Sequence, residues 1–456
     1  MPGLKIHHLS GSQTHVPSTT NTLSCPLICK KSKKNDFNTT FKLVPSFLDK
    51  QAKEKCFVSG VPGSFYSRLF PSNEYFWFIM DSLVDALSMK EGNGEHSYDT
   101  NSHYQRSVFS EIEHVVVESI IEMLMNLDYP EYIKVADLGC SSGRNTLFAM
   151  SEIVNTIIQS YHQKGRPNAP EIECCLNDLP HNDFNTTFKL VPSFLEKLKM
   201  EVKGKCFVSG VPNSFYSRLF PSMSLHLAHS SFSLHWLSRV PDGLENNNTS
   251  IHINDTSPPD VYKSYLNQFK NDFSLFLRMR SEEIVPNGQM VLTFVGRKVS
   301  DPLSKNCFQV WSLLSDCILD LVSEGIIKES GMHSFSMPFY NPNEEEVREV
   351  VINEGSFKIN KIETHDHIVP YKIEKDEEEL SLELMEAGKE RATGIRCITE
   401  PLLVAHFGET VINQVFDKYA QYMAKYLSVS SHRPNMTLNI CPLPYKQASR
   451  WCCDLP

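Results

Sequence analysis

The sequence predicts an α/β protein built on a largely parallel sheet. Three observations carry that prediction. Short apolar strands alternate with helical patterns after residue 130. Two neighbouring strands close on a carboxylate, at Asp137 and at Asp178. The first of them runs into Gly139-Cys140-Ser141-Ser142-Gly143, a small-residue turn that opens a helix near Asn145. In an open α/β sheet, ligands bind outside the carboxyl ends of strands. Small residues there let a ligand approach the backbone, and a helix N-terminus offers unpaired N–H groups. A strand, glycine turn and helix recur in many α/β proteins, so this stretch alone defines no ligand.

The bulk properties narrow the field. A chain of 456 residues holds one large domain or two to three smaller ones, and 41% apolar with 21% charged residues describes an ordinary globular protein. A formal charge of −10 and a pI near 5.9 point away from a nucleic-acid binder. The thirteen cysteines, among them Cys25, Cys29, Cys174-Cys175 and Cys452-Cys453, lack zinc-site spacing and suit a reducing compartment. No apolar run reaches the roughly 18–20 residues of a membrane span; Tyr75 to Met80 stops at Asp81. The N-terminus lacks the apolar core of a secretory signal. Its first acid is Asp36, preceded by Ser, Thr and Lys without Arg, which leaves an organelle transit peptide as a minor alternative to a cytoplasmic location.

An internal repeat precedes the α/β pattern. Asn35 to Leu48 recurs identically at Asn182 to Leu195, Cys56 to Pro62 at Cys206 to Pro212, and Ser64 to Ser72 at Ser214 to Ser222. Two copies make no solenoid. The first copy lacks the strands around it that would bury its apolar face. Residues 1–74 therefore read as an orphan duplicated fragment of uncertain fold, with a site-mimicking regulatory extension as the alternative. Residues 75–450 read as the working domain.

The elements follow in order. Gly92-Asn93-Gly94 has the composition of a phosphate loop but follows no strand. Val108, Ile112, Val115, Val116, Ile120 and Leu124 fall at helical spacing. Strands are expected at Ile133 to Ala136, Ile172 to Leu176, Cys206 to Val211 and Leu225 to Ser231. A helix is expected from Val261 to Ile284, a turn at Val285 to Gln289 and a strand at Met290 to Val295. Helices are expected again at Trp311 to Val322 and Glu344 to Val351, and the acidic run Asp376 to Glu379 reads as a solvated helix face or loop. Asp178, at the end of the second strand, has the chemistry to accept two hydrogen bonds from a ribose diol, though an acid that merely ends a strand looks the same.

Five stretches now match a family jointly. They are Ser97-Tyr98…Asn101-Ser102…Gln105, Asp137 to Gly143, Leu176-Asn177-Asp178-Leu179-Pro180, Ser214-Phe215-Tyr216, and His229-Ser230-Ser231…His235-Trp236-Leu237-Ser238. With Gly355-Ser356-Phe357 and Glu400-Pro401-Leu402…Phe407-Gly408-Glu409, they resemble the plant SABATH methyltransferases over about residues 85 to 440. Those enzymes methylate carboxyl groups of small hormones and scent acids, or ring nitrogens of xanthines. The resemblance implies a Rossmann-like methyltransferase sheet with a helical cap over the acceptor pocket, S-adenosyl-methionine as cofactor, and a homodimer, which is common in such families. By the same resemblance Tyr98, Ser102, Cys140, Asn145, Asp178, Leu179, Ser214 and Phe215 line the cofactor. Gln105 and Trp236 hold the acceptor carboxylate and serve as the catalytic pair. Phe232, His235, Val295, Trp311 and Ile395 form pocket walls.

The residue types suit that chemistry. A carboxylate is ionised at neutral pH and attacks a sulfonium methyl without a general base. Neutral donors such as the Gln105 amide and the Trp236 indole N–H orient it while leaving it nucleophilic. His235 with Ile395, in place of two methionines clamping a flat ring, resembles the jasmonate-type pocket more than the salicylate type. Indole-acetate and benzoate are further candidate acids. Gln105 argues against the N-methylating members, and a catalytically inactive fused product is the alternative of a different class.

Departures from the family pattern are specific. Arg144 replaces the usual Pro, putting a cation at a helix start at a cost of a few tenths of a kcal/mol, by rough estimate. Asn213 replaces the usual Gly, on the expectation that Asn tolerates a left-handed backbone. The magnesium-associated positions fall on Asn247, His333, Phe335 and Ser336, where the loss of a carboxylate weakens a hard-cation site. The resemblance thus places magnesium at Asn247 and Phe335, and the altered donor set argues against it. From Ile440-Cys441-Pro442 onward the chain departs where a final strand is expected.

Overall fold

The computed structural model describes residues 87–166, 168–198, 202–297, 309–367, 377–429 and 435–444. The duplicated fragment at 1–74, Asp376 of the acidic run and Cys452-Cys453 lie outside the described residues. In chain order, α1 (Tyr98–Asn101) and α2 (His103–Asn126) precede β1 (Tyr132–Leu138) and α3 (Arg144–Gln163). Next come β2 (Glu171–Asp178), α4 (Phe184–Lys197), β3 (Cys206–Pro212), β4 (Leu225–Ser231), α5 (Pro259–Glu283) and β5 (Ile284–Gly296). The chain continues with α6 (Gln309–Ser323), α7 (Glu329–His333), α8 (Glu344–Glu354) and β6 (Phe357–His367). It ends in α9 (Glu377–Phe407), α10 (Ile412–Val429) and β7 (Asn435–Pro444).

The strands join in one sheet of order β3-β2-β1-β4-β5-β7-β6. The first five are parallel, and β7 runs antiparallel between β5 and β6. Chain order reverses at β1, which pairs with β2 on one side and β4 on the other, so the ligand crevice of such a sheet opens between β1 and β4. Alternation along the strands feeds two cores. Ile133 and Val135 of β1 join Ile172, Cys174 and Leu176 of β2 under α2 and α3. Ala136 and Leu138 join Cys175, Met290, Leu292 and Phe294 under the helices of the other face.

Local sequence explains most boundaries. All six apolar positions expected on α2 are buried. Asp183 caps α4 by accepting from the Thr186 amide. Asn343 and Glu346 close a full capping box on α8, which stops at Gly355 in the left-handed region. Gly92 opens no phosphate site, because its N–H donates to Asp183 Oδ2 at 3.0 Å.

One expectation fails. The turn placed at Val285 to Gln289 lies inside β5, a 13-residue strand. Its ladder with β4 jumps from Leu225↔Ile284 to Leu227↔Gln289, so the extra residues, including Asn287 at φ 67°, are absorbed as an irregularity in a continuous strand. Turn-forming residues produced a bulge because β4 pairs on both sides of them. The chain end, which departs from the family pattern from Ile440 onward, still forms the final strand. Residues Asn435–Pro444 pair with β5 and β6 and complete the sheet between them.

Candidate active site

The turn after β1 is built by close packing. Gly139 has φ 78° and Gly143 has φ 92°, and Ser141 between them has φ 53°. A Cβ on Gly139 would fall 2.2 Å from Ser233 Cβ, and one on Gly143 would fall 2.2 Å from Asp99 Oδ1. Both positions thus require glycine for conformation and for space. Protein side chains fill the space beside both glycines, and Gly139 also lines the cavity beside the turn. The Gly139 and Cys140 amides both donate to the Asn177 carbonyl at 2.9 Å, so the turn is pinned to β2.

Asp99 also resolves the Arg144 departure. Its Oδ1 accepts the Arg144 amide at 2.8 Å, and its Oδ2 lies 3.2 Å from the Arg144 guanidinium. The buried carboxylate therefore caps α3 and offsets the cation at its start. Asn145 Nδ2 donates to Ser102 Oγ and to the Ser102 carbonyl, at 2.9 and 3.0 Å. Segment 98–102 is thereby fixed over the start of α3. Cys140 is a buried thiol. Burial, and secondarily Asp178 and Asp137, push its pKa well above the ordinary value, so it is a neutral wall atom.

The two strand-end acids differ in role. Asp137 is buried and spent on the protein, accepting from Thr146 Oγ1 at 2.6 Å and lying 2.8 Å from His229 Nδ1. Asp178 accepts the Ser141 amide on Oδ2 at 2.7 Å and the Leu179 amide on Oδ1 at 2.8 Å. Burial pushes its pKa up to about 6, against the opposing pull of those two N–H donors. Asn213 does not adopt a left-handed backbone, being absent from the positive-φ residues. Its Oδ1 accepts the Ser214 amide at 2.9 Å and its carbonyl accepts Asn177 Nδ2 at 2.8 Å, which fixes the approach to Ser214-Phe215. Phe215 Cε1 stands 3.3 Å from the Cβ position of Gly139, so its ring lies against the turn.

A cavity of about 420 Å³, its solvent mouth included, opens beside the turn. Tyr98, Gln105, Cys140, Asn145 and Phe232 line it, bringing five of the expected site residues together. Of the other residues expected at the acceptor, His235, Trp236 and Trp311 do not line this cavity but assemble in an aromatic cluster next to Phe232, whose ring is 6.2 Å from that of His235. Trp236 packs 5.0 Å from Phe339 and 6.3 Å from Trp311, and His235 packs 4.6 Å from Phe339. The Val295 amide donates to His235 Nδ1 at 3.1 Å, so Nδ1 is the acceptor and the neutral ring carries its proton on Nε2. Burial lowers the His235 pKa to about 3 and keeps it neutral. Ile395 packs against the same core from α9. That helix is docked by the Lys90 amide on the Cys397 carbonyl and by the Lys90–Glu400 ion pair.

The suggested metal positions do not fit a hard divalent cation. Asn247 donates to the Ser250 and His252 carbonyls and accepts from Ser257 Oγ, holding its own loop together. Phe335 is a buried ring packed on His406 and Phe407. None of Asn247, His333, Phe335 and Ser336 is a carboxylate.

Sequence reasoning missed the residues that hold these pieces in place. Arg280 and Glu283 are fully buried and paired at 2.8 Å. Arg280 donates to the Phe215 and Ser217 carbonyls, and Glu283 Oε1 accepts the Leu219 and Phe220 amides. Their spacing of three at the end of an amphipathic helix was the available signal. It resembles any surface pair until the 215–220 loop packs over it.

A parallel sheet whose chain order reverses at β1, a half-buried carboxylate at the second strand end and a cavity beside the turn describe an α/β protein with a ligand crevice at its strand ends. The family model described as SAM dependent carboxyl methyltransferase matches residues 18–83 and 84–441. The chain is 50% identical over 371 residues to the salicylate/benzoate carboxyl methyltransferase of Arabidopsis thaliana, covering 81% of this chain and 94% of that protein. It is 40% identical over 357 residues to the probable jasmonic acid carboxyl methyltransferase 2 of Theobroma cacao, covering 76% and 95%. A solved structure of loganic acid methyltransferase with SAH superposes with a TM-score of 0.68 at 31% identity, covering 79% of this chain and 99% of that one. The chain belongs to the SAM-dependent carboxyl methyltransferase family.

Replacing Glu283 with Ala strands the Arg280 charge in the core and leaves two loop amides unpaired. The expected loss in unfolding free energy is about 3–5 kcal/mol, read by urea denaturation. A loss under about 1 kcal/mol, the size of an exposed pair, would show that other contacts hold the loop.

Proposed function

We propose that the acceptor is a small aromatic acid of the benzoate or salicylate kind, converted to its methyl ester. The observation that carries this reading is the 50% identity extending over 94% of a salicylate/benzoate carboxyl methyltransferase. The aromatic cluster of Trp236, Trp311, Phe339 and Phe232, with neutral His235, offers flat apolar faces suited to such a ring. The pairing of His235 with Ile395 favours a jasmonate-like acid instead, and that is the second reading.

The roles follow from placement. S-adenosyl-methionine, when bound, supplies an electrophilic sulfonium methyl. Asp178 takes the ribose hydroxyls, Phe215 covers the adenine, and Tyr98, Ser102, Cys140, Asn145, Leu179 and Ser214 complete the cradle. Support comes from the strand-end carboxylate, the ring against Gly139 and the cavity that Tyr98, Cys140 and Asn145 share. Gln105 and Trp236 orient the acceptor carboxylate with neutral donors. Positioning of this kind lowers a barrier by roughly 7–11 kcal/mol at best. No proton needs to be removed from the nucleophile, so the chain supplies placement and exclusion of water.

A homodimer and a cytoplasmic setting belong to the same proposal. Six buried free cysteines among the described residues support a reducing compartment, and among the described residues no helix is long and apolar enough to cross a membrane. Light scattering reads the first and a fluorescent fusion the second. Residues 1–74 are proposed as a passive duplicate of 182–222, on the identity of the repeated blocks.

The direct test is turnover against benzoate, salicylate, jasmonate, indole-acetate and a xanthine, for the full chain and for one lacking residues 1–74. Benzoate or salicylate should lead by kcat/KM, equally in both proteins. A lead by jasmonate or the xanthine replaces the substrate reading, binding without turnover supports an inactive product, and loss of activity in a folded truncation makes the fragment functional. Gln105→Ala should raise the acceptor KM at least tenfold while leaving the cofactor KM within about twofold; equal effects would contradict its role. Ribose hydroxyls donate to the ionised Asp178, whose proton must leave as the cofactor binds. Cofactor affinity should therefore fall about tenfold from pH 8 to pH 5, through the pKa near 6, by calorimetry. Asp178→Asn should flatten that profile; an unchanged profile would assign the titration elsewhere.

A further inference from the structure

Helix α2 and strand β6 meet at a cluster that the reaction does not use. Glu363 and His365 are two residues apart on β6 and share a face, and His114 reaches them from the middle of α2. Glu363 Oε2 lies 3.1 Å from His114 Nε2 and 3.1 Å from His365 Nε2. The three ligand atoms all lie within 4.8 Å of one another. With metal–ligand bonds of about 2.0–2.1 Å in a tetrahedral zinc site, neighbouring ligand atoms stand roughly 3.3 Å apart. Two of the three edges are therefore already near that spacing.

The surroundings point the same way. His114 Nδ1 stands 3.2 Å from the Glu111 carbonyl, which can only accept. That places a proton on Nδ1 and turns Nε2 toward the Glu363 carboxylate, the arrangement that orients a metal-bound imidazole. A lone pair facing a carboxylate at 3.1 Å is unfavourable unless a proton or a cation lies between them. Glu363 keeps its second oxygen on Lys361, at 2.7 Å, and Lys361 is in turn paired with Glu118 at 2.6 Å. Side-chain exposures of 47%, 25% and 27% for His114, Glu363 and His365 leave an outer position open to water.

We propose that His114, Glu363 and His365 bind a late first-row divalent cation of the zinc type, clipping α2 to the sheet edge. Two imidazoles and one carboxylate suit zinc, cobalt, nickel or copper and discriminate against magnesium and calcium. The site lies apart from Asn247 and Phe335. It would stiffen the helix whose first turn carries Gln105, without touching the acceptor.

The test uses the full chain stripped of metal by a chelator. Cobalt should give tetrahedral visible absorption in the wild type, with one equivalent fewer bound by His114→Ala and by His365→Ala. Saturating zinc, at about 100 times its Kd, should raise the wild-type melting midpoint by roughly 3–5 °C, with no rise in either variant. Glu363→Gln should weaken zinc at least tenfold, and magnesium at the same concentration should shift nothing. The His114 side chain is exposed, so with chelator present the His114→Ala protein should melt with the wild type. An equal zinc response in the wild type and both histidine variants, or no zinc response in the wild type, overturns the proposal.

Discussion

The turn from β1 to α3 depends on two backbone positions where no side chain fits. Ser233 occupies the space beside Gly139 and Asp99 the space beside Gly143. These contacts draw three separate pieces of chain onto one strand end. Ser233 brings in the segment after β4, where Ser230 and Ser233 both donate to the Leu138 carbonyl. Asp99 brings in α1, and with it Tyr98 and the start of α2. Everything that lines the cleft is placed relative to this turn, so a side chain at either glycine would displace both walls at once.

Buried charge is used here for placement. Asp137 is consumed by Thr146 and His229, which lock α3 and β4 to β1. Arg280 and Glu283 are consumed by the loop that presents Phe215. Each group, once removed from water, needs all its partners, and that requirement gives the loop a single arrangement. The cluster around Trp236 is built differently, from neutral His235 and a set of indole and phenyl rings.

The order of strands and helices was legible because hydrophobic periodicity and caps are local. Leu225–Ser231 was read to the residue, and α2, α5 and α6 to within a few residues at each end. Helices α9 and α10 escaped: α9 carries Pro401 and an acidic start that break its helical pattern, and α10 packs chiefly on α9. The Val285 to Gln289 segment was misread for a related reason. Its residues form turns in isolation, but flanking pairs with β4 hold them in a bulge.

The sequence by itself determined the α/β class, the strand-end acids and the motif set that marks a carboxyl methyltransferase, since each depends on residue type and short-range order. It could not distinguish Asp178 from Asp137, because both end apolar strands; only packing shows that Asp137 is bound by the His229 and Thr146 side chains while Asp178 holds two backbone amides. Nor could it say why the glycines are needed or how Arg144 is tolerated. Those answers lie in Ser233 and Asp99, residues ninety-four after Gly139 and forty-four before Gly143 in the chain, and only tertiary packing brings them into contact.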